Sequence, residues 1–229
     1  NSHKKVCNIH IQDPKVSLNN FDYVIAPEHD GLIGKNVLST KGAIHYLTQE
    51  EIDNNKDYLI EKLDKHKSHL VLILGGPNKY YDYTNQSLSK IFDQIKKIQE
   101  ENKLQTIVIP SMRTPHKTIE LANDYFGKEH LVIKNIDKKA YLSGLSLAKY
   151  IIVTCDSSSM ISEAALTGKP IYIANISPKR NDTRFQKFRN LFRELNITRN
   201  LGESFENWNY QKLDETNRVA KIIKERINQ

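Results

Sequence analysis

From His69 onward the chain alternates short apolar runs with segments whose apolar residues recur every three or four positions. HLVLILGG (69–76) has the composition of a strand buried on both faces, and it ends in glycines. The next segment carries Leu88, Ile91, Phe92, Ile95 and Ile98, the stripe of an amphipathic helix. TIVIP (106–110) predicts another strand, and Pro115 suits the first turn of a helix running to about Tyr125. Strand HLVIK (130–134), a helix over 138–147, strand YIIVT (150–154), a helix over 158–167 and strand PIYIA (170–174) follow. Short crossovers between buried strands predict an α/β fold, a doubly wound parallel-sheet, Rossmann-like domain over 69–200. A helix near 184–195 comes next, and a last one carries Val219, Ile222, Ile223 and Ile227 within 201–229.

The opening residues have a different rhythm. VCNIHIQD (6–13), DYVIAPEHD (22–30) and NVLST (36–40) are three strand candidates with no room for long helices between them. Three strands do not bury both faces of a sheet. Residues 1–47 therefore resemble the latter part of a truncated N-terminal Rossmann-like half-domain, joined to the larger unit by a linker helix over 48–68. A second copy of the chain, making a homodimer, is one way to cover the exposed sheet.

Composition narrows the partners. The 229 residues carry a net charge of +7, but the lysines are scattered over helix-like segments with no dense basic block. That pattern belongs to a solvated surface, so no specific nucleic-acid partner is expected. No apolar run approaches the roughly 18 residues of a transmembrane helix. Cys7 and Cys155 lie in apolar runs, which predicts buried free thiols and a reducing, cytoplasmic setting. The chain opens on Asn1 rather than methionine, and Asn1, Ser2 and His3 could belong to a tag.

In an open parallel sheet, ligands bind beyond the carboxyl ends of the strands. The residues there are Gly75, Gly76, Pro77 and Asn78; Ser111, Met112, Arg113 and Thr114; Asn135; and Asp156, Ser157, Ser158 and Ser159. In the first segment they are Gln12 and Asp13, Glu28, His29 and Asp30, then Lys41 and Gly42. Gly75 and Gly76 would let the backbone approach a ligand closely. Ser157, Ser158 and Ser159 at a helix N-terminus suit an anion such as a diphosphate, and Arg113 offers a bidentate cation. Glu163, four residues after Ser159, shares its helix face and could accept the paired hydroxyls of a ribose. Glu28, His29 and Asp30 set two carboxylates around an imidazole, the mixture that acid–base chemistry uses. Competing structural readings exist: one serine caps a helix, two glycines make a strand-end turn, and PEHD can be a turn with one structural carboxylate. His45, His66 and His116 read as ordinary histidines, surface or partly buried. There is no GxGxxG, no P-loop and no Cys/His spacing for zinc.

Six blocks occur in order: IQDPK (11–15), FDYVIAPEHD (21–30), NVLSTKGA (36–43), LGGPNKYY (74–81), SMRTP (111–115) and TCDSSSMISEAALTGKPIY (154–172). Together they resemble the mitochondrial-fission ELM-like (elongated-mitochondria) family. That family is in turn similar to GT-B glycosyltransferases and the UDP-N-acetylglucosamine 2-epimerase group, in which two Rossmann-like domains face each other across a cleft. The resemblance implies that Ser158 and Ser159 hold a diphosphate, that Glu163 holds a ribose, and that the last helix crosses back to the first domain. It implies a nucleotide-sugar, or another nucleotide diphosphate, as substrate, with no further cofactor and no metal. The expected activity is GT-B-type, glycosyltransferase-like transfer from an NDP-sugar, with Glu28, His29 and Asp30 as the catalytic groups. A non-hydrolysing NDP-sugar epimerase and a catalytically silent scaffold are the alternatives.

Overall fold

The structure, a computed structural model, describes residues 6–228; Asn1, Ser2 and His3 lie outside it. Two parallel sheets organise the chain. The first contains β1 (Ile9–Ile11), β2 (Tyr23–Pro27) and β3 (Val37–Thr40), in that spatial order. The second contains β4 (Ser68–Leu74), β5 (Leu104–Pro110), β6 (Leu131–Val132), β7 (Ala148–Thr154), β8 (Ile171–Ala174) and β9 (Thr198–Asn200). Its order is β6-β5-β4-β7-β8-β9, and every pairing is parallel. This is the doubly wound arrangement that the alternating pattern predicts.

The larger sheet is buried because helices cover both faces. Leu70 to Leu74 and Ile151 to Val153 are at most 1% exposed. The helices are α2 (Asn85–Glu101), α3 (His116–Phe126), α4 (Lys138–Leu147), α5 (Ser158–Ala165) and α6 (Thr183–Glu194). On α2 the stripe Leu88, Ile91, Phe92 and Ile95 faces the core. Each such side chain contributes about 1.5–3 kcal/mol by leaving water. Thr84 caps α2, accepting the Ser87 N–H.

The smaller sheet leans on α7 (Glu215–Ile227), which returns across the molecule. Val219 joins Ile25 and Leu38 in a second core, with Ile222 and Ile223 against it. The Glu215 carboxylate accepts the Lys41 backbone N–H at 2.7 Å, and Thr216 exchanges hydrogen bonds with the His45 backbone. The Leu213 N–H meanwhile reaches the carbonyl of Ala165 at the end of α5, so the approach to α7 is anchored on the larger unit.

Several elements depart from expectation. The linker helix over 48–68 is instead a short α1 (Gln49–Asn54) followed by two single 3-10 turns, Lys56–Tyr58 and Ile60–Lys62. The run Asp53, Asn54, Asn55 is poor in helix propensity, and the Asn55 side chain turns back to bond the carbonyl of Glu51. Leu59 and Leu63 still pack into the main core. Strand HLVIK shrinks to Leu131–Val132. Cys7 precedes β1 and is half-buried, whereas Cys155 is buried just after β7. Strand β9 is short and polar in sequence, so periodicity could not reveal it.

Candidate functional site

The chain builds the larger sheet outward from β4 through β5 to β6, then returns to the other side of β4 with β7. The carboxyl ends of β4 and β7 therefore flank a topological switch point, where the connecting loops run in opposite directions and leave a crevice. Gly75 to Asn78 follow β4 there, and Asp156 to Ser159 follow β7.

These loops are tied together from beneath. The Asp156 side chain is fully buried and bonds Arg113 at 2.9 Å. It also accepts the Tyr83 hydroxyl at 2.5 Å and the Gly76 N–H at 3.2 Å. The Thr154 oxygen accepts the Gly75 N–H, and with the Tyr83 proton on Asp156 its hydroxyl donates to the Tyr83 oxygen at 2.7 Å. Burial, with Asp156 beside it, pushes the Tyr83 phenol far above its ordinary value, so it stays a hydrogen-bond donor. Asp156 was expected to touch ligand; its oxygens are spent inside the fold. The glycines have a matching cause. A Cβ on Gly75 would stand 2.3 Å from the Asp156 carboxylate, and one on Gly76 would stand 1.9 Å from the Arg113 carbonyl oxygen. They bring loop onto loop.

The turn after β5 is similarly fixed. The Thr114 hydroxyl reaches the carbonyls of Leu74 and Gly75, and it accepts the Ser111 N–H at 2.8 Å. The result is an exposed Arg113 whose guanidinium is pinned at the mouth of the crevice by Asp156 and the Gly76 carbonyl. Its outer edge still faces solvent, at 41% side-chain exposure.

The three serines divide their work. Ser157 is the N-cap of α5, its hydroxyl accepting the Met160 N–H. Ser158 and Ser159 begin the helix, and among the described residues their hydroxyls have no partner. The α5 N-terminus thus presents two uncommitted hydroxyls with the positive end of the helix dipole behind them. One turn on, Glu163 accepts the Tyr141 hydroxyl at 2.6 Å through Oε2 alone. Burial raises its pKa, opposed by Tyr141 and by the nearby His45.

Glu28, His29 and Asp30 form a single 3-10 turn after β2. Glu28 pairs with Lys41 at 2.7 Å, and Asp30 takes a two-point ion pair from Arg184 of α6. The His29 ring packs edge-on against Phe188, with Nε2 3.6 Å from Asp30. Burial lowers the His29 pKa, so the ring is neutral near pH 7, while the Asp30 charge pulls the other way. Among the described residues no hydrogen bond or ion pair joins this turn to Ser157, Ser158 or Ser159. The two groups are linked through α6 on one side and through residues 42–45 on the other. There Ser162 accepts the Ala43 N–H at 2.9 Å and donates to the Ser158 carbonyl.

Sequence reasoning missed Ser162, Tyr83, Tyr141 and Arg184. Ser162 follows Ser158 by one helical turn, which was a usable signal; the others lie far along the chain from what they touch. It also misjudged His45, which is buried at 9% exposure, whereas His116 is exposed and pairs with Glu120.

A six-stranded parallel sheet with a switch point, a second parallel sheet of three strands and a helix crossing back give a GT-B-like fold. The fold comparison agrees. The chain superposes on the UDP-GlcNAc 2-epimerase of Neisseria meningitidis, solved bound to UDP-GlcNAc, with a TM-score of 0.54 at 12% identity, covering 91% of this chain and 62% of that one. A candidate UDP-N-acetylglucosamine 2-epimerase from Listeria monocytogenes gives 0.52 at 15% identity, covering 91% and 60%. At these identities the likeness is one of fold.

The chain belongs to the mitochondrial fission ELM1 family, whose sequence model matches residues 1–227. It is 29% identical to an uncharacterised protein of Rickettsia prowazekii over 94% of this chain and 72% of that protein. It is 23% identical to mitochondrial fission protein ELM1 of Arabidopsis thaliana over 96% of this chain but 57% of the plant protein. The chain thus spans less than two thirds of the plant relative and of both solved neighbours. Among the described residues, no helix is long and apolar enough to cross a membrane.

Proposed function

We propose that the chain binds a nucleoside diphosphate sugar at the β4–β7 crevice and supports glycosyl transfer from it. The observation that carries this is the pair of uncommitted hydroxyls, Ser158 and Ser159, at the start of α5 beside the pinned Arg113. One serine satisfies the cap; the other two sit where a diphosphate would meet hydroxyls, helix N–H groups and a fixed cation together. Glu163, with Oε1 unengaged, is one turn behind for the ribose hydroxyls.

In this reading an acceptor hydroxyl attacks the anomeric carbon. The bond from that carbon to the diphosphate oxygen breaks, and the electron pair leaves with the nucleoside diphosphate. His29, neutral and held beside Asp30, takes the acceptor's proton. Arg113 and the α5 dipole stabilise the leaving charge, so the chemistry asks for no metal. The neighbouring epimerase bound to UDP-GlcNAc makes a uridine nucleotide the first to try. An NDP-sugar epimerase would use the same binding half, and a scaffold of the fission family would use neither half.

Thermal-shift titration with UDP-, GDP- and CMP-sugars tests the binding. Stabilisation by one of them, absent in Ser158→Ala/Ser159→Ala, is the expected result; no stabilisation by any of them refutes it. Product analysis then separates transfer, which releases the free nucleoside diphosphate, from epimerisation, which keeps the sugar attached.

A further inference from the structure

A second concave site, with no residue of α5 in its lining, lies at the carboxyl ends of β1 and β2. It has a volume of about 500 Å³, and its charged lining is Lys15, Lys79, Arg184 and Lys187 with Asp13 and Asp30. The size suits a small ligand, for which pockets of roughly 300–1,000 Å³ are usual.

Its charge is unbalanced in a specific way. Lys15 neutralises Asp13 at 2.5 Å, and Arg184 neutralises Asp30. Lys79 and Lys187 have no carboxylate within ion-pair distance among the described residues. Two lysines without counter-charge in one concavity focus a positive potential there. The start of α6 adds to it: Thr183 and Arg184 open that 12-residue helix on the cleft, so its dipole points the same sign inward. His29 also lines the cleft, with its side chain 4% exposed and its Nδ1 buried without a partner. Tyr80 supplies an aromatic wall, with the Lys79 ammonium 4.9 Å from its ring centre.

We infer that this cleft holds the phosphate of a phosphomonoester acceptor, with Lys79, Lys187 and the N-terminus of α6 as its anion site. A dianionic phosphate matches two uncompensated ammonium groups, where a neutral sugar would leave both unpaired. The site lies on the β1–β2 side, where the turn with His29 could meet an acceptor hydroxyl, and the nucleotide stays at α5. The identification of the ligand as an acceptor rests on the nucleotide-sugar reading of α5; the anion site does not. The phosphate itself is a handle and is not transferred. The same group could arrive on a soluble sugar phosphate or on a lipid headgroup.

Isothermal titration of the whole chain with glucose 6-phosphate and with glucose, and sedimentation with vesicles containing phosphatidic acid, distinguish these sources. Glucose 6-phosphate or the vesicles should bind and glucose should not. Lys79→Ala/Lys187→Ala should weaken that binding roughly tenfold or more, as the loss of one or two charged hydrogen bonds implies. The same variant should keep its affinity for the NDP-sugar, and Ser158→Ala/Ser159→Ala should show the converse. Unchanged phosphate binding in the lysine variant overturns the inference, as does the absence of binding to either phosphate probe. Loss of the NDP-sugar in place of glucose 6-phosphate also overturns it, because the lysines would then serve the donor. Failure of every NDP-sugar with phosphate binding intact sinks the donor reading and leaves the anion site standing.

Discussion

Gly76→Ala gives the sharpest structural consequence of the crevice. The added Cβ would sit 1.9 Å from the Arg113 carbonyl oxygen and 2.8 Å from its Cβ, whereas real Cβ contacts stay beyond 3.0 Å. One loop must yield by about 1 Å. The Arg113 turn cannot do so freely, because the Ser111 N–H is bonded to the Leu74 carbonyl at 2.9 Å and Thr114 to the Gly75 carbonyl at 2.6 Å. Overpacking costs about 1–3 kcal/mol, and each hydrogen bond broken adds about 0.5–1.5 kcal/mol. A total near 2–4 kcal/mol lowers the melting temperature by roughly 5–15 °C in a chain of this size. Urea denaturation followed by circular dichroism measures it, with Gly31→Ala as control. Gly31 has φ +68 but nothing within 4 Å of a built Cβ, so its cost is backbone strain alone, about 1–2 kcal/mol. A Gly76→Ala chain as stable as wild type, or no worse than the control, would refute loop-on-loop packing. The glycine would then be kept for something other than the contact with Arg113.

Three other outcomes are expected. Burial is the first cause that lowers the pKa values of His29, His69 and His130 in the fold. The unfolded chain therefore binds more protons, and stability is full above about pH 6.5 and falls as pH drops through the folded values, by up to about 1.4 kcal/mol per pH unit per histidine; urea midpoints between pH 7.5 and 5 that stay constant would contradict it. Arg189→Met leaves the Asp182 carboxylate, 2% exposed, without its cation and should cost about 3–5 kcal/mol. The exposed pair Lys179–Asp82 should cost under about 1 kcal/mol when Lys179 becomes Ala, so equal losses would argue against the difference in burial. Ser162→Ala removes the acceptor of the Ala43 N–H and the brace on Ser158; it should cost about 1–2 kcal/mol and speed hydrogen exchange at Ala43 above other amides of that segment.

The larger sheet was legible because its strands are buried on both faces and its helices carry strict stripes. Leu88, Ile91, Phe92 and Ile95 declare their side of α2 without any tertiary knowledge. The Asp53–Asn55 break was visible in the residues, and Ile52, Leu59 and Leu63 pack into the core without a continuous helix. For the candidate site, the strand-end rule picked out Ser158, Ser159 and Arg113 from strand boundaries alone. It could not tell residues that face the crevice from residues that hold it up. Asp156 follows its strand just as Ser158 does, yet Tyr83, Arg113 and the Gly76 N–H consume it. Those partners lie between about forty and eighty residues away along the chain, and no local spacing encodes them. Tyr141 beneath Glu163 and Arg184 beside Asp30 were hidden for the same reason.

The central claim is that α5 receives a diphosphate. A crystal of the whole chain soaked with UDP-GlcNAc, and in parallel with GDP- and CMP-sugars, tests it most directly. Density for the diphosphate within hydrogen-bonding reach of Ser158 and Ser159, with Arg113 alongside and the ribose toward Glu163, is the expected result. Nucleotide density elsewhere, or an empty crevice at saturating concentrations of all three, would contradict it.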